Sequence, residues 1–216
     1  MILDLHTHSI KSDDGRAKVE NYCQWIRKKE LPLDGFVLTE HRQFDAVSDY
    51  STLAQQYGLV ILKGSEVETD YGHVLVFGVT PELQGEFDFA RIDTPLTTVL
   101  SAASATGAVA VPCHPGRTNV GMFSHYERKG PVQGVTIVET CNGGSRTGED
   151  EWSTRSAEEF GYLGIGGSDS HIVSRVGFCA TEFPTEIASI DQLVDALKGG
   201  QFAARSFRDD SRSETA

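Results

Sequence analysis

Imidazoles and carboxylates recur in this chain in short motifs, each set just after an apolar run. They are His6-Thr7-His8, Thr39-Glu40-His41, Gly64-Ser65-Glu66, Cys113-His114-Pro115, Glu139-Thr140-Cys141-Asn142 and Gly167-Ser168-Asp169-Ser170-His171. Any one His beside a strand is more often a hydrogen-bonded structural residue than a ligand, so the combination carries the reading. Of seven histidines, five lie at or just past such runs, His73 begins another, and His125 alone falls outside the scheme. Nitrogen and carboxylate donors without clustered thiolates suit Zn²⁺, Mn²⁺ or Fe²⁺ rather than Ca²⁺, Mg²⁺ or an iron–sulfur cluster. Six histidines and three carboxylates exceed what one ion takes, and fit two or three ions that share a bridging carboxylate. Such a cluster activates a bridging water and clamps phosphoryl oxygens during in-line attack.

The elements that must position these residues are legible in the runs themselves. Apolar stretches at 2–5, 35–38, 59–62, 74–79, 108–111, 135–138 and 163–165 are short, rich in Val and Ile, and not alternating. That pattern predicts strands buried on both faces, as in a parallel sheet. Helical spacing lies between them. Val19, Tyr22, Cys23 and Ile26 mark one helix, with Trp25 packing beside them and Pro32 beyond its end. Leu96, Val99, Leu100 and Ala103 mark another that stops at Gly107, and Ile190, Leu193, Val194 and Leu197 a third that stops at Gly199-Gly200. Glu149-Asp150-Glu151 suits the N-terminus of a helix that Trp152 anchors. Alternating strand and helix predicts an α/β fold, in which the C-terminal strand ends open on one face and carry the site.

Length and composition fit that picture. At 216 residues the chain predicts a single domain over 1–206, with a polar tail at 207–216. Nineteen Lys and Arg against 31 Asp and Glu leave a formal charge of −12, which disfavours long nucleic acid as a partner. No apolar run approaches a membrane span. The N-terminus lacks the basic and apolar regions of a signal peptide, so the expectation is a cytoplasmic chain whose four widely spaced cysteines stay reduced.

Taken together the motifs resemble those of the PHP (polymerase and histidinol phosphatase) superfamily of metal-dependent phosphoesterases. The residues that carry the likeness are Asp4 to Ser9, Ser12-Asp13-Asp14-Gly15, Thr39-Glu40-His41, Gly64-Ser65-Glu66, Gly72-His73, Cys113-His114-Pro115, Glu139 to Asn142 and Gly167 to His171. They cover roughly residues 1–180 in order. The resemblance implies a distorted (β/α)7 TIM-like barrel with a trinuclear centre at its C-terminal rim. It implies one ion on His6, His8, Glu66 and Asp169, and a second on Glu66, His73 and His114. The third would sit on His41, His171 and an acid of the first loop, either Asp13 or Asp14; Asp14 is preferred because it precedes Gly15. Two departures stand out. Glu40 replaces the family's usual Asp, which suits a residue that supports ligands rather than binding metal. Only residues 42–58 separate His41 from the next strand, so the insertion domain of the larger nucleotide phosphatases is missing.

The expected function is hydrolysis of a small phosphorylated substrate by a metal-bridged hydroxide, with Glu66, His114, Asp169 and His171 at the catalytic core. Arg117, Arg175 and Arg42, close after His114, His171 and His41, are candidate anion grips, because a guanidinium fork matches phosphate. Asn142 is a candidate substrate contact, and Glu139 either a supporting acid or a contact. Two alternatives stand: a nuclease trimming short single strands, and a metal-stabilised barrel that has lost activity and serves as a binding or regulatory module. The sequence leaves the oligomeric state open.

Overall fold

The computed structural model describes residues 1–208, and the expected tail falls outside it except for Phe207 and Arg208. In chain order the elements are β1 (Ile2–Thr7), α1 (Val19–Lys28), β2 (Gly35–His41), α2 (Ser51–Tyr57), β3 (Val60–Thr69) and β4 (Gly72–Phe77). There follow α3 (Pro81–Glu86), α4 (Leu96–Thr106), β5 (Val109–Pro112), α5 (Met122–Lys129), β6 (Ile137–Asn142), α6 (Glu149–Phe160) and β7 (Leu163–Gly167). After a short 3₁₀ turn at Val173–Arg175 come β8 (Cys179–Glu182), α7 (Ile190–Gly199) and β9 (Ala203–Ser206). Each of the seven expected apolar runs overlaps a strand. Several extend further than their apolar part, because residues such as Glu66, His41 and Asn142 themselves continue the ladder.

Seven strands form one curled sheet in the order β5-β4-β3-β2-β1-β8-β9, and β6 and β7 form a separate parallel pair. β1, β2 and β3 are parallel to one another. The parallel pattern that the apolar runs suggested does not extend to β4, which runs antiparallel to both β3 and β5. The reason is local. Only Asp70 and Tyr71 separate β3 from β4, enough for a hairpin and far too few for a crossover. The reversal brings His73, near the start of β4, opposite Glu68 at the same rim as the ends of β2 and β3. β8 and β9, absent from the sequence reading, add antiparallel strands onto β1.

The lumen is apolar. Leu3, Leu5, Val37, Leu62, Leu75, Phe77, Val111, Ile137 and Ile165 bring every strand from β1 to β7 into one cluster, which α7 joins through Leu193, Val194 and Leu197. The Lys198 ammonium donates to Gly107 O at 2.5 Å, which puts α7 beside the turn just before β5, at the end of the barrel away from the motifs. Gly107 and Gly200 end α4 and α7 at φ 81° and 72°, a left-handed conformation that glycine takes without steric cost. The other helices cover the outside. α1 packs Val19, Tyr22, Cys23 and Ile26 against Phe36 and Leu38 of β2, while α3 to α6 cover β3, β4 and β6. The result is a single α/β domain in the form of a distorted TIM-like barrel.

Between β1 and β7 the wall closes by a different means. β7 carries glycines at 164, 166 and 167, and a Cβ at 167 would collide with the His6 side chain and the Glu139 carboxylate. Asp4, buried in β1, accepts Ser168 N–H at 2.8 Å and His6 N–H at 3.3 Å on one oxygen, and Gly177 N–H at 2.9 Å on the other. Burial pushes its pKa up to about 6, against the pull of those amides.

Candidate metal centre

Glu66 is the focus of the rim. It lies within β3, paired with His41 of β2 and Leu75 of β4, and is 1% exposed. Five imidazoles surround its carboxylate. His6 Nε2, His8 Nε2 and His41 Nδ1 lie 3.0, 3.1 and 3.1 Å from Oε2; His73 Nδ1 and His114 Nε2 lie 2.8 and 3.3 Å from Oε1. Asp169 faces the same space, 3.5 Å from both His6 Nε2 and His8 Nε2. His41 and His171 approach within 3.2 Å through their Nε2 atoms, and Asp14 Oδ2 lies 3.2 Å from His171. The geometry brings Asp14 to the cluster, whereas Asp13 turns away to Arg42.

Four sets of donor atoms result at the rim, in each of which all atoms lie within 4.8 Å of one another: His6, His8, Glu66 and Asp169; Glu66, His73 and His114; His8, His41 and His171; and His6, Cys113 and Glu139. The donors fit divalent cations for a definite reason. A carboxylate offers about four lone-pair positions, fewer than the imidazoles crowding Glu66. His6 Nδ1 is 3.0 Å from Glu139 Oε1; with its proton directed there, Nε2 presents a bare lone pair to the oxygens of Glu66 and Asp169. Buried His8 Nε2, for all its closeness to Glu66, and His114 Nδ1 make no well-aligned hydrogen bond among the described residues. A shared cation reconciles lone pairs and carboxylates that otherwise face one another. The field agrees. Although burial opposes it, Glu139, Asp169 and Glu66 hold the His6 pKa well above the usual value, so the pocket favours positive charge. Against its own burial, the imidazoles keep the Glu66 carboxyl well below the ordinary range, hence ionised. Burial lowers His114, leaving it neutral and able to ligate.

The surrounding residues fix these donors. Glu139, fully buried in β6, uses its other oxygen on His114 N–H at 2.9 Å and Asn142 Nδ2 at 2.7 Å. Glu40 accepts Ser9 N–H and both the Ser9 and Ser12 hydroxyls, and Ser12 Oγ lies 3.2 Å from His8 Nδ1. Three non-glycine residues at the rim, Arg42, His114 and Asp169, have φ of 55°, 32° and 52°. Such conformations cost about 1–3 kcal/mol each and persist where the surroundings impose them. All three directly follow, or lie two residues beyond, the ends of β2, β5 and β7.

The candidate anion grips differ in what they already hold. Arg117 Nη2 donates to Asp169 at 2.7 Å and to Asn142 Oδ1 at 3.2 Å, at the edge of a cavity of about 410 Å³ that Gly144 and Arg146 also line. Arg175 lines a second cavity of about 390 Å³ with Asp14, Arg16, Asp169 and His171. Arg42 is bound to Asp13 and, at 2.9 Å, to Glu68. Arg16 and Arg146 were not singled out from sequence. Arg146 lies four residues past β6 much as Arg117 lies five past β5, a parallel that could have found it. A groove of about 700 Å³ beside residues 44–51 and β3 is lined by none of the candidate residues. No helix among the described residues is long and apolar enough to cross a membrane.

Comparison with known proteins gives a consistent picture. Residues 4–111 match the model of the PHP domain, and residues 152–202 match that of a PHP-associated region. No curated protein matches the chain. Among solved structures, PsfC from Pseudomonas syringae superposes with a TM-score of 0.69 at 19% identity, over 98% of this chain and 93% of that one. A two-domain protein from Bacteroides vulgatus, described as containing a predicted PHP-like metal-dependent phosphoesterase, gives 0.62 at 21% identity over 95% of this chain; the chain spans 64% of its length. The lesion-specific endonuclease EndoQ from Pyrococcus furiosus gives 0.64 at 14% identity, over 94% of this chain and 57% of its own. These likenesses show a shared fold. With the matched model spanning half of its length, the chain belongs to the PHP domain family.

Proposed function

We propose that the protein is a metal-dependent hydrolase of phosphate esters that acts on a small phosphorylated substrate. The observation that carries this is the ring of imidazoles around the buried, ionised Glu66, open to two arginine-lined cavities that share Asp169. In this reading His6, His8, Glu66 and Asp169 hold one divalent ion (Mn²⁺, Zn²⁺ or Fe²⁺), Glu66, His73 and His114 a second, and His41, His171 and Asp14 a third. Bound there, such ions lower the pKa of a coordinated water and neutralise phosphoryl oxygens.

The chain's own groups do the rest. Glu139 orients His6, and Glu40 orients His8 through Ser12, so that ring nitrogens point inward before substrate arrives. Arg117, fixed by Asp169 and Asn142 with part of its guanidinium still exposed, grips a phosphate from one side. Arg175 faces the other cavity. Cavities of this size take a small molecule or a terminal nucleotide rather than a duplex, and the net charge of −12 works against long polymers.

A second reading, a nuclease, draws on the likeness to EndoQ, a relative of which the structure is also known in complex with a 27-mer duplex. One assay separates the two. The purified protein loaded with Mn²⁺ is offered p-nitrophenyl phosphate, bis-p-nitrophenyl phosphate and short oligonucleotides. Turnover of the small esters, lost in His6→Ala, is the expected result. Cleavage confined to oligonucleotides replaces it with the nuclease reading. No turnover of any, with metal bound, returns the barrel to a binding role.

A further inference from the structure

Away from the imidazoles, two thiols meet on the outer wall. Cys141 of β6 and Cys179 of β8 belong to different sheets and lie 38 positions apart, yet their sulfurs are 2.7 Å from each other. The approach is built into β7. Cys141 pairs with Gly166, and a Cβ there would collide with the Ala180 backbone, so β7 lies directly on β8. The Thr181 hydroxyl bonds both Gly166 N (2.9 Å) and Gly166 O (2.8 Å), which locks the approach. Arg208 sits over the pair, Nη2 3.2 Å from Cys179 Sγ and 3.9 Å from Cys141 Sγ, fixed by Asn142 O at 2.9 Å and by Asp150. Cys141 is half-buried and reachable from solvent, whereas Cys179 is fully buried.

We propose that Cys141 and Cys179 are a redox modification site, which hydrogen peroxide oxidises to a reversible disulfide joining the two sheets. The inference rests on the thiol geometry and is independent of the chemistry at the rim. Two thiols in contact need only a small further approach to reach the bond length of about 2.05 Å. The balance is simple. The Cys141 thiolate attacks one peroxide oxygen, the O–O bond breaks, and with a proton the products are a sulfenic acid and one water. The Cys179 thiol then attacks the Cys141 sulfur, the S–O bond breaks, and a second water leaves with the two remaining hydrogens. Two electrons pass from the sulfurs to the peroxide. A neighbouring thiol and an arginine are the surroundings that make a thiol reactive; the Cys179 thiol first, then Arg208, hold the Cys141 pKa below its ordinary value against burial.

The same side chains raise a competing possibility, since Cys141, Asp150 and Cys179 also offer three metal-ligand atoms close together. The distances favour the disulfide. Two thiolates on one zinc at about 2.3 Å and tetrahedral angles stand well over 3 Å apart, and the Asp150 carboxylate is already engaged by Arg208 and by Asn142 N–H at 3.2 Å. The consequence is local to the metal centre. The cross-link would close residues 141–179 into one loop carrying Asn142, Asp169, His171 and Arg175, and would tie β6 to β8.

The test is peptide mapping of the full chain. Reduced protein is treated with stoichiometric hydrogen peroxide, alkylated, digested without reductant and read by mass spectrometry. The expected product is one cross-linked pair containing Cys141 and Cys179, with Cys23 and Cys113 recovered as thiols. The melting temperature should rise by roughly 5–10 °C, fall back on adding dithiothreitol, and stay unmoved by peroxide in Cys141→Ala and in Cys179→Ser. Recovery of both residues as free thiols, or of Cys141 as a sulfinic acid with no partner, overturns the proposal. So does a zinc ion in the untreated wild-type protein that each variant lacks while the metal of the rim is unchanged.

Discussion

The two sides of the candidate metal centre are positioned by different forces. On one side β1 to β5 form an unbroken hydrogen-bonded ladder, and His6, His41, Glu66, His73 and His114 lie in it or just past its ends. On the other side β6 and β7 pair only with each other. Asp169 and His171 follow β7, where one backbone bridge to β1, His8 N–H to Ser170 O at 2.9 Å and Ser170 N–H to His6 O at 3.4 Å, holds the segment and side chains supply the rest: Asp4 on Ser168 and Gly177, Glu139 on His6 and His114, Thr181 on Gly166. A ladder fixes ligands by many backbone bonds that no single side chain can remove. The second wall has a single backbone bridge to that ladder and otherwise rests on a few buried polar side chains, each of which one substitution takes away. Mutations that remove a donor and mutations that remove its support should therefore separate cleanly.

The largest effect is expected at Glu66, which takes part in two of the donor sets and faces five imidazoles. Glu66→Ala should abolish turnover and release most bound metal, while circular dichroism stays native because the β3 ladder does not need the side chain. Metal analysis and a kinetic assay check this; full metal retention would show that the ladder's imidazoles suffice without their shared acid. Glu139→Gln comes next. It keeps the shape but replaces one acceptor oxygen by an N–H₂ facing either the His6 ring or the His114 amide. A chelator titration should show metal affinity or activity lowered by roughly 10–100-fold, the range for groups that orient a ligand. Arg117→Ala should leave metal content alone and raise KM by about tenfold, as loss of one charge-assisted contact does.

Asp4 separates support from ligation. Asp4→Asn turns one acceptor into a donor opposite Ser168 N–H or Gly177 N–H, and should cost about 1–3 kcal/mol of stability with little change in kcat of the folded enzyme. Its pH dependence has a definite sign. Burial raises the folded-state pKa of Asp4 from 3.8 to about 6, so the contribution is complete below 3.8 and fades as pH climbs through 6, by up to about 3 kcal/mol. The asparagine never charges. In urea melts of metal-free protein, wild type should exceed the variant most near pH 4, and the gap should narrow by pH 7. A gap that widens with pH would mean that the three amides outweigh burial.

The same contrast explains how much could be read from the sequence. Strands and donors were legible on both sides because apolar runs and the His, Glu or Asp that follow them are local signals; all seven runs overlap strands, and helices α1, α4, α6 and α7 are present. β4 was misread in direction because an apolar run has no polarity of its own, and the two-residue link at Asp70-Tyr71 was the overlooked sign. β8 and β9 escaped because Cys-Ala-Thr-Glu and Ala-Ala-Arg-Ser carry little apolar pattern. The donor set was legible by motif, yet the support of the second wall was not. Asp4, inside an apolar strand, and Thr181 act on backbone amides more than a hundred and on a glycine fifteen positions away, respectively, and no spacing announces such contacts.

The smallest effect tests the arginines against each other. Arg42 directly follows His41 and Arg117 comes three residues after His114, and from sequence both were candidate phosphate grips, Arg117 the stronger. Their partners differ. Arg117 is bound to Asp169 and Asn142 inside the site, whereas Arg42 is spread between Asp13 and Glu68 on the ladder side, about a third exposed. Exposed ion pairs of that kind contribute about 0–1 kcal/mol, and two carboxylates already neutralise the guanidinium that a phosphate would need. Arg42→Ala should therefore shift KM by no more than about twofold. Its left-handed φ of 55° imposes a small backbone cost that alanine shares, so stability should change little. Steady-state kinetics on the two variants side by side decide the point: a KM for Arg42→Ala as high as that of Arg117→Ala would mean that Arg42 leaves its acids when substrate arrives, and that both walls of the site grip the phosphate.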